Sequence, residues 1–255
     1  MYGKVLLLTV NGTHLDQGLV VTSSSVCPAP TLVNAAPYQS TATTAYYQCT
    51  VAAVGAGQFV VTRTSDGATL ATPPFAVPSP QVTMTMSNGA AAHGTIVVTL
   101  APDKAPMTVN NFLAYVNAGF YDITVIHRVS QNFVIRGGGY AAPVDAATTT
   151  TKPTSAPIPL EVNAGLSNVQ WTIAMARTSA PDSATSQYFI NLVDNSRILD
   201  ASATNPGYAV FGSVTAGTDS VTGIAAAPCT STFISGAGDC TPIPNVVVTS
   251  AVQTR

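Results

Sequence analysis

The sequence carries little charge. Aspartate, glutamate, lysine and arginine make up 8% of the 255 residues, whereas a typical soluble domain has about 25%. The formal net charge is −2 and no basic cluster occurs, so a nucleic-acid partner is not expected. Hydrophobic residues account for 46% of the chain, which excludes the low-hydrophobicity, high-charge composition of disordered proteins.

Long apolar runs are missing as well. None approaches the ~18 residues that a membrane-spanning helix requires, and the runs KVLLLTV and NVVVTSAV have the length of strands. No signal peptide is apparent, because a predicted strand already begins by Lys4. We therefore expect a mature chain from which a targeting segment has been removed.

Histidine and cysteine are scarce. The chain has 3 histidines and 4 cysteines, and no two cysteines form a CxxC pair, so we expect no metal site. Four cysteines allow three disulfide connectivities. The pairs Cys27–Cys49 and Cys229–Cys240 are favoured because each closes a local loop. Disulfides are typical of an oxidising compartment, and buried free thiols in a cytosolic protein are the alternative.

A proline-rich stretch, TPPFAVPSPQ at 72–81, divides the chain. Before it, short β-branched runs are separated by Asn-Gly, Asp-Gly and other turn signals, which predicts a small immunoglobulin-like β-sandwich over residues 1–78. This part contains no convergent polar cluster, and we interpret it as a binding or spacer module of unknown role. Residues 81–255 form the second predicted domain.

The second part combines many strands with few helices. In APMTVNNFLAYVNAG, apolar residues recur at helical spacing from Val109 to Val116, Pro106 suits the first turn and Gly119 suits the C-terminal cap. AGTDSVTGIAA is a second predicted helix. The pattern favours a mainly β protein with a closed antiparallel barrel capped by helices, rather than alternating βαβ units.

The stretch VIHRVSQNFVIRGGG, at 125–139, places Arg128 and Arg136 in an otherwise apolar run. A charged side chain in such a strand is costly unless it is paired or used. We therefore expect the functional site here. His127 is interpreted as a packed strand residue, and the three glycines are expected to permit a tight exit from the strand.

From about residue 82 to 252 the sequence resembles the cyclophilins, the peptidyl-prolyl cis–trans isomerases. The matching segments are VTLAPDKAPMTVNNFLAYVNAGFYD, IHRVSQNFVIRGG, WTIAMARTSAPDSATSQYFINLVDN and LDASATNPGYAVFGSV. Met-Ala-Arg and Gly-Tyr-Ala-Val-Phe-Gly are similar to bacterial members. The resemblance implies a barrel of about eight strands with two helices and proline-containing polypeptide clients. The low-charge composition and the cysteines favour a periplasmic or secreted location, and we expect a monomer.

The resemblance also implies a site. Arg128 matches the catalytic arginine of the family. The substrate-binding positions comprise the walls of the proline pocket, a glutamine that binds the peptide backbone, a segment that pairs with the substrate main chain, and flanking positions: Phe133, Val134, Arg136, Ala176, Arg177, Gln187, Phe189, Ile198, Leu199 and Tyr208.

Such a site needs no cofactor and no metal, because no covalent bond is broken. Rotation about an X–Pro bond crosses a barrier of about 18–20 kcal/mol, and it takes tens to hundreds of seconds without a catalyst. The twisted transition state loses amide resonance, so its nitrogen lone pair accepts a hydrogen bond. An arginine at that point would stabilise the transition state more than the planar ground state.

Three positions depart from the family pattern. Arg136 replaces the usual glutamine, Ile126 replaces phenylalanine, and Ile198 lies at or beside the position of a tryptophan or phenylalanine, which weakens any inference of cyclosporin binding. We expect Arg136 to lie beside Arg128, its repulsion offset by an acid such as Glu161 or Asp182, a carbonyl or water. The alternative function is a non-catalytic secreted binding protein that keeps the barrel as a scaffold.

Overall fold

A computed structural model describes residues 1–89, 92–145, 147–162, 164–231 and 238–255 of the chain. Backbone contacts divide it into two compact units. Met1–Ser79 and Arg255 form the first, the N-terminal unit, and Pro80–Thr254 form the second, the barrel unit. Within the described ranges no helix is both long enough and apolar enough to cross a membrane.

The N-terminal unit contains only strands and a short 3-10 turn at Leu15–Gln17. Its strands are β1 (Val5–Asn11), β2 (Leu19–Ser23), β3 (Thr31–Val33), β4 (Thr44–Thr50), β5 (Gly55–Arg63), β6 (Thr69–Ala71) and β7 (Pro74–Val77). One antiparallel sheet has the order β1-β4-β3, and the other has the order β2-β5-β6 with β7 also paired to β5. Residues of both sheets, among them Tyr47 and Phe59, share one apolar core. This is the predicted sandwich, and its immunoglobulin-like topology stays a prediction.

The barrel unit contains the remaining strands. They are β8 (Gln81–Ser87), β9 (Ala92–Leu100), β10 (Thr124–Ser130), β11 (Val134–Val144), β12 (Thr149–Thr151), β13 (Thr172–Met175), β14 (Tyr188–Asn191), β15 (Val210–Ala216), β16 (Cys229–Ser231), β17 (Cys240–Pro242) and β18 (Val247–Gln253). The order β11-β14-β13-β15-β9-β8-β18-β10 closes on itself through a β10–β11 pairing. The predicted closed eight-stranded antiparallel barrel is confirmed.

Among its described residues the barrel unit has three helices: α1 (Pro106–Asn117), α2 (Ser196–Leu199) and α3 (Thr218–Ala225). The two longer ones were predicted, and the single-turn α2 was not. Gly119 follows α1 with a φ of 65°, the left-handed conformation for which glycine is favoured after a helix. The carboxylate of Glu161 accepts hydrogen bonds from the backbone N–H groups of Met107 and Thr108, so it caps the first turn of α1.

Both predicted disulfides are present. Cys27–Cys49 lies in the core of the N-terminal unit. Cys229–Cys240 joins β16 to β17, and β17 pairs with β10 through Cys240 and Val129. The second disulfide therefore belongs to a hairpin that extends the barrel next to the strand of Arg128.

Candidate active site

The β10–β11 hairpin brings the two arginines together. Ile126 is opposite Gly137, and Arg128 is directly opposite Arg136, because the register shifts between these two pairs. A regular ladder would have set Arg128 against Ile135 instead. Directly opposed residues point to the same face of a sheet, so this bulge places both guanidinium groups on one side. The expectation that they are neighbours holds, but antiparallel pairing is the reason rather than the even spacing along one strand.

A cavity of about 340 Å³ opens at this position. Its lining consists of the predicted catalytic arginine, all but one of the predicted substrate-binding residues, and one residue that the sequence did not suggest: Arg128, Phe133, Val134, Arg136, Ala176, Arg177, Phe189, Ile198, Leu199, Asn205 and Tyr208. Gln187 does not line the cavity and instead contacts Arg136 behind it. Eleven residues from six separate stretches of the barrel unit thus meet at one site.

One wall of the cavity is apolar. Val134, Phe189 and Leu199 belong to a buried cluster against which Phe133 and Tyr208 pack. The rings of Phe189 and Tyr208 meet edge to face, with centroids 5.6 Å apart. A wall of this kind fits an aliphatic ring and offers it no hydrogen bond.

A third cation, Arg177, also lines the cavity. The guanidinium of Arg177 lies 4.4 Å from the ring centroid of Tyr208, and its Nε donates to the carbonyl of Gly207 at 2.9 Å. Stacking and hydrogen bonding together hold this long side chain flat along the wall.

The rim is formed by α2 and the loop after it. Ile198 is 63% exposed, whereas the adjacent Leu199 is buried. Asn205 donates from Nδ2 to the carbonyl of Ile198 at 2.7 Å, and its Oδ1 accepts from the backbone N–H of Gly207 at 3.0 Å. Asn205 was missed because an asparagine in a loop gives no signal beyond that of a turn.

The two arginines of the hairpin have different partners. Nε of Arg128 donates to Oδ2 of Asp239 at 2.8 Å, while Nε of Arg136 donates to Oε1 of Gln187 at 2.9 Å. Burial, and then the charge of Arg128, lower the pKa of Arg136 from its ordinary value. The hydrogen-bond partner of the Arg136 guanidinium is therefore the neutral side-chain carbonyl of Gln187.

The acids considered for Arg136 lie elsewhere. Glu161 caps α1, and Oδ1 of Asp182 accepts from the backbone N–H of Leu160 at 2.8 Å. Each carboxylate accepts from backbone donors near it, so neither of these two acids pairs with Arg136. Of the three expected kinds of partner, the structure has a carbonyl, that of the Gln187 side chain.

His127 lies on the buried side of the same strand, 1% exposed. Burial lowers its pKa to about 3, and the charges of Arg136 and Arg128 act in the same direction. Its ring packs edge to face on Tyr140, with centroids 4.9 Å apart. It is a neutral packed residue at ordinary pH, as interpreted from the sequence.

The three glycines lie inside β11, so the expectation of a strand exit was wrong. A Cβ on Gly138 would come 2.8 Å from the carbonyl oxygen of Ser186, and one on Gly139 would come 2.6 Å from Cδ of Gln187. Gly138 also has a φ of 77°. The glycines therefore allow the chain that carries Gln187 to approach β11 closely.

A buried amide network supports the site from behind. Asn195 donates from Nδ2 to the carbonyl of Phe133 at 2.9 Å and to Oδ1 of Asn191 at 2.8 Å. Asn191 donates in turn to Oγ1 of Thr172 at 2.9 Å. Fully satisfied buried networks rigidify the elements that they join, here the cavity wall, β13 and β14. Scattered asparagines gave no sequence signal for it.

Chemically, the arrangement combines a hydrogen-bond donor of fixed charge with an apolar slot. Arginine stays protonated in proteins and cannot act as a base. In the described part of the chain, no three histidine, cysteine, aspartate or glutamate side chains come together as metal ligands would. The residues present can bind a small apolar ring and stabilise electron density that develops beside it.

Comparison with known proteins agrees with this geometry. The family model described as "Cyclophilin type peptidyl-prolyl cis-trans isomerase/CLD" matches residues 81–253. A peptidyl-prolyl cis-trans isomerase of Acinetobacter baylyi is 50% identical over 140 residues, which are 55% of this chain and 71% of that protein. Peptidyl-prolyl cis-trans isomerase B of Escherichia coli is 47% identical over 131 residues, 51% of this chain and 77% of that protein.

A solved structure shares the fold. The cyclophilin type peptidyl-prolyl cis-trans isomerase of Cryptosporidium parvum aligns with a TM-score of 0.53 and 19% identity, covering 69% of this chain and 98% of that one. The family match includes every residue of the cavity, whereas the first 80 residues precede it. The chain belongs to the cyclophilin-type peptidyl-prolyl cis–trans isomerases.

Proposed function

We propose that Arg128 is the catalytic residue of this isomerase and that the cavity around it binds the proline of an X–Pro segment. One observation carries the proposal: Arg128 and the apolar wall of Val134, Phe189 and Leu199 share a single cavity. The wall would hold the pyrrolidine ring, and Arg128 would act on the adjoining amide.

The catalytic effect comes from the difference between the two states of that amide. In the planar form the nitrogen lone pair is delocalised and accepts no hydrogen bond. In the twisted form the lone pair is localised, so an N–H of the guanidinium can donate to it. Because this hydrogen bond exists only in the twisted form, it lowers the barrier without tightening ground-state binding.

The segment 176–177 lines the cavity and would orient the peptide, whereas Gln187, which is not part of the lining, would act through Arg136. Oε1 of Gln187 accepts from Nε of Arg136. Ala176 follows β13, and its backbone N–H donates to the backbone carbonyl of Gln187 at 2.9 Å. This hydrogen bond fixes the main chain at Ala176 relative to the main chain at Gln187, and residues that position a substrate must be fixed in this way.

We assign the clients to an extracytoplasmic compartment, the bacterial periplasm or the exterior. Both disulfides support this assignment, because structural disulfides persist in oxidising surroundings. The relatives from Acinetobacter and Escherichia are bacterial, and we infer a bacterial source for this chain as well. The residues that line the cavity belong to the barrel unit, and we assign to the N-terminal unit attachment or client binding rather than catalysis.

The test is an isomerisation assay on the purified chain with an X–Pro peptide. We expect wild-type activity, a loss of kcat/KM of about hundredfold in Arg128→Ala, the size of effect seen when one transition-state donor is removed, and no loss in the control Arg63→Ala. Arg63 is an exposed arginine of the N-terminal unit that also pairs with an aspartate. An inactive wild type would favour the non-catalytic binding protein, and an active Arg128→Ala variant would refute the assigned role.

A further inference from the structure

The acid that pairs with Arg128 comes from a distant part of the sequence. Oδ2 of Asp239 lies 2.8 Å from Nε of Arg128, across 111 positions of the chain. The side chain of Asp239 is only 7% exposed and that of Arg128 is 21% exposed. Water screens such a pair much less than it screens a surface ion pair.

Asp239 is held at this place by its neighbours. The next residue, Cys240, is opposite Val129 in the β10–β17 pairing and is bonded to Cys229. The residue after it, Thr241, donates from Oγ1 to the carbonyl of His127 at 2.7 Å in a buried position. The hairpin is thus attached to β10 on both sides of Arg128, and the disulfide closes it.

Arg128 needs such a partner because it faces another cation. Its cross-strand neighbour is Arg136, whose own Nε is engaged by Gln187. Within the described part of the chain, Asp239 makes the one hydrogen bond that the guanidinium of Arg128 has. Because that bond uses Nε, both terminal nitrogens stay available for a substrate.

We propose that Asp239 is a positioning residue for Arg128, and that the Cys229–Cys240 disulfide supports catalysis by holding Asp239 in place. The proposal rests on the proposed catalytic function of Arg128. Asp239 offsets the repulsion from Arg136 and fixes the direction in which the terminal nitrogens point. Without it, the guanidinium would turn away from Arg136 and from the amide of the substrate.

The first experiment compares Asp239→Asn with wild type. We expect kcat to fall about tenfold, equivalent to about 1.4 kcal/mol of barrier, with KM nearly unchanged because orientation matters in the transition state. Asp239→Glu keeps the charge and should recover part of kcat. The matched control is Asp66→Asn, which removes an exposed ion pair in the N-terminal unit and should leave kcat unchanged.

A double-mutant cycle separates positioning from general damage. If Asp239 acts through Arg128, then Asp239→Asn should cause no further loss in the Arg128→Ala background. An equal loss in both backgrounds would mean that Asp239 only supports the fold, and it would overturn the proposal. An unchanged kcat of Asp239→Asn beside an active wild type would also overturn it, whereas an inactive wild type would refute the function instead.

The disulfide provides a measurement on a protein that is already folded, in case Asp239→Asn does not fold. In a Cys27→Ser/Cys49→Ser background only Cys229–Cys240 can be reduced. Reduction, verified by counting two free thiols, should lower kcat severalfold and leave KM unchanged, and re-oxidation should restore it. An unchanged kcat after verified reduction would overturn the proposal.

Discussion

The two units of the molecule contain the same two features in different surroundings. Each has one disulfide, and each has one arginine–aspartate ion pair among its described residues. In the N-terminal unit, Arg63 and Asp66 are 2.9 Å apart with side chains 46% and 49% exposed. In the barrel unit, Arg128 and Asp239 are 2.8 Å apart, yet their side chains are far less exposed.

Burial, rather than distance, distinguishes the two pairs. An exposed pair of this type is worth about 0–1 kcal/mol, whereas breaking a buried pair by removing one partner costs about 3–5 kcal/mol. The disulfides differ in the opposite sense, because Cys27 and Cys49 are buried, whereas Cys229 and Cys240 are only partly buried. Cys27–Cys49 lies inside an apolar core, while Cys229–Cys240 closes the hairpin beside the cavity. In the N-terminal unit the disulfide is part of the apolar core and the exposed ion pair contributes little, whereas in the barrel unit we propose that the ion pair and the disulfide support the site.

The largest expected effect is a loss of folding stability at acid pH, and it should be confined to the barrel unit. His127 has a folded pKa of about 3, below its unfolded value, so the unfolded state binds the proton first as the pH falls. The contribution of neutral His127 to the free energy of unfolding is complete above about pH 6.5 and is lost towards pH 3. About 2 kcal/mol of it is lost between pH 7 and pH 5. Chemical denaturation at several pH values should show this slope in wild type and its absence in His127→Phe.

One result of the denaturation experiment would contradict the expected role of His127. Other groups of the barrel also titrate in acid, so the relevant quantity is the difference between wild type and His127→Phe at each pH. A difference that stays constant from pH 7 to pH 5 would mean that the pKa of His127 is the same in the folded and unfolded states.

A smaller effect concerns the second cation of the barrel. Arg136 lines the cavity, so wild type should favour peptides with an acidic residue near the proline. We expect a preference of about fivefold at low salt, corresponding to an interaction of about 1 kcal/mol, and it should shrink at high salt. Arg136→Gln should remove the preference but retain activity on neutral peptides. Equal preferences in both proteins across acidic, neutral and basic peptides would make Arg136 a purely structural substitution.

The smallest effect should come from removing the N-terminal unit. All residues of the cavity lie in the barrel unit, so a chain that starts at Gln81 should isomerise short peptides with kcat/KM within about twofold of the full chain. A correctly folded but inactive barrel unit would show that the first unit shapes the site.

Local features of the fold could be predicted from the sequence. The spacing from Val109 to Val116, with Pro106 and Gly119 at the ends, indicated α1, and short loops indicated both disulfides. These features depend on residues close in sequence, where geometry is restricted. The many strands and few helices favoured a closed barrel, but its number of strands and the cavity lining came from the resemblance to cyclophilins, because strand pairing between remote segments leaves little trace in one sequence.

The partners of the arginines could not be predicted. The pairing of Arg128 with Asp239 depends on a hairpin 111 positions away, and its proximity to Arg136 depends on a bulge in β10. The three glycines suggested a strand exit, because the chain that crowds β11 is not adjacent in sequence. Contacts of this kind depend on tertiary packing, which local propensity does not encode.

The central claim is that Arg128 stabilises the transition state rather than binding the substrate. The direct measurement is kcat and KM, determined separately for wild type and Arg128→Ala on one X–Pro peptide, with folding verified by circular dichroism. Arg128→Lys, which keeps a charge opposite Asp239, serves as a second variant if the alanine variant is unstable. We expect kcat to fall about hundredfold while KM changes by less than about twofold. A raised KM with an unchanged kcat would contradict it.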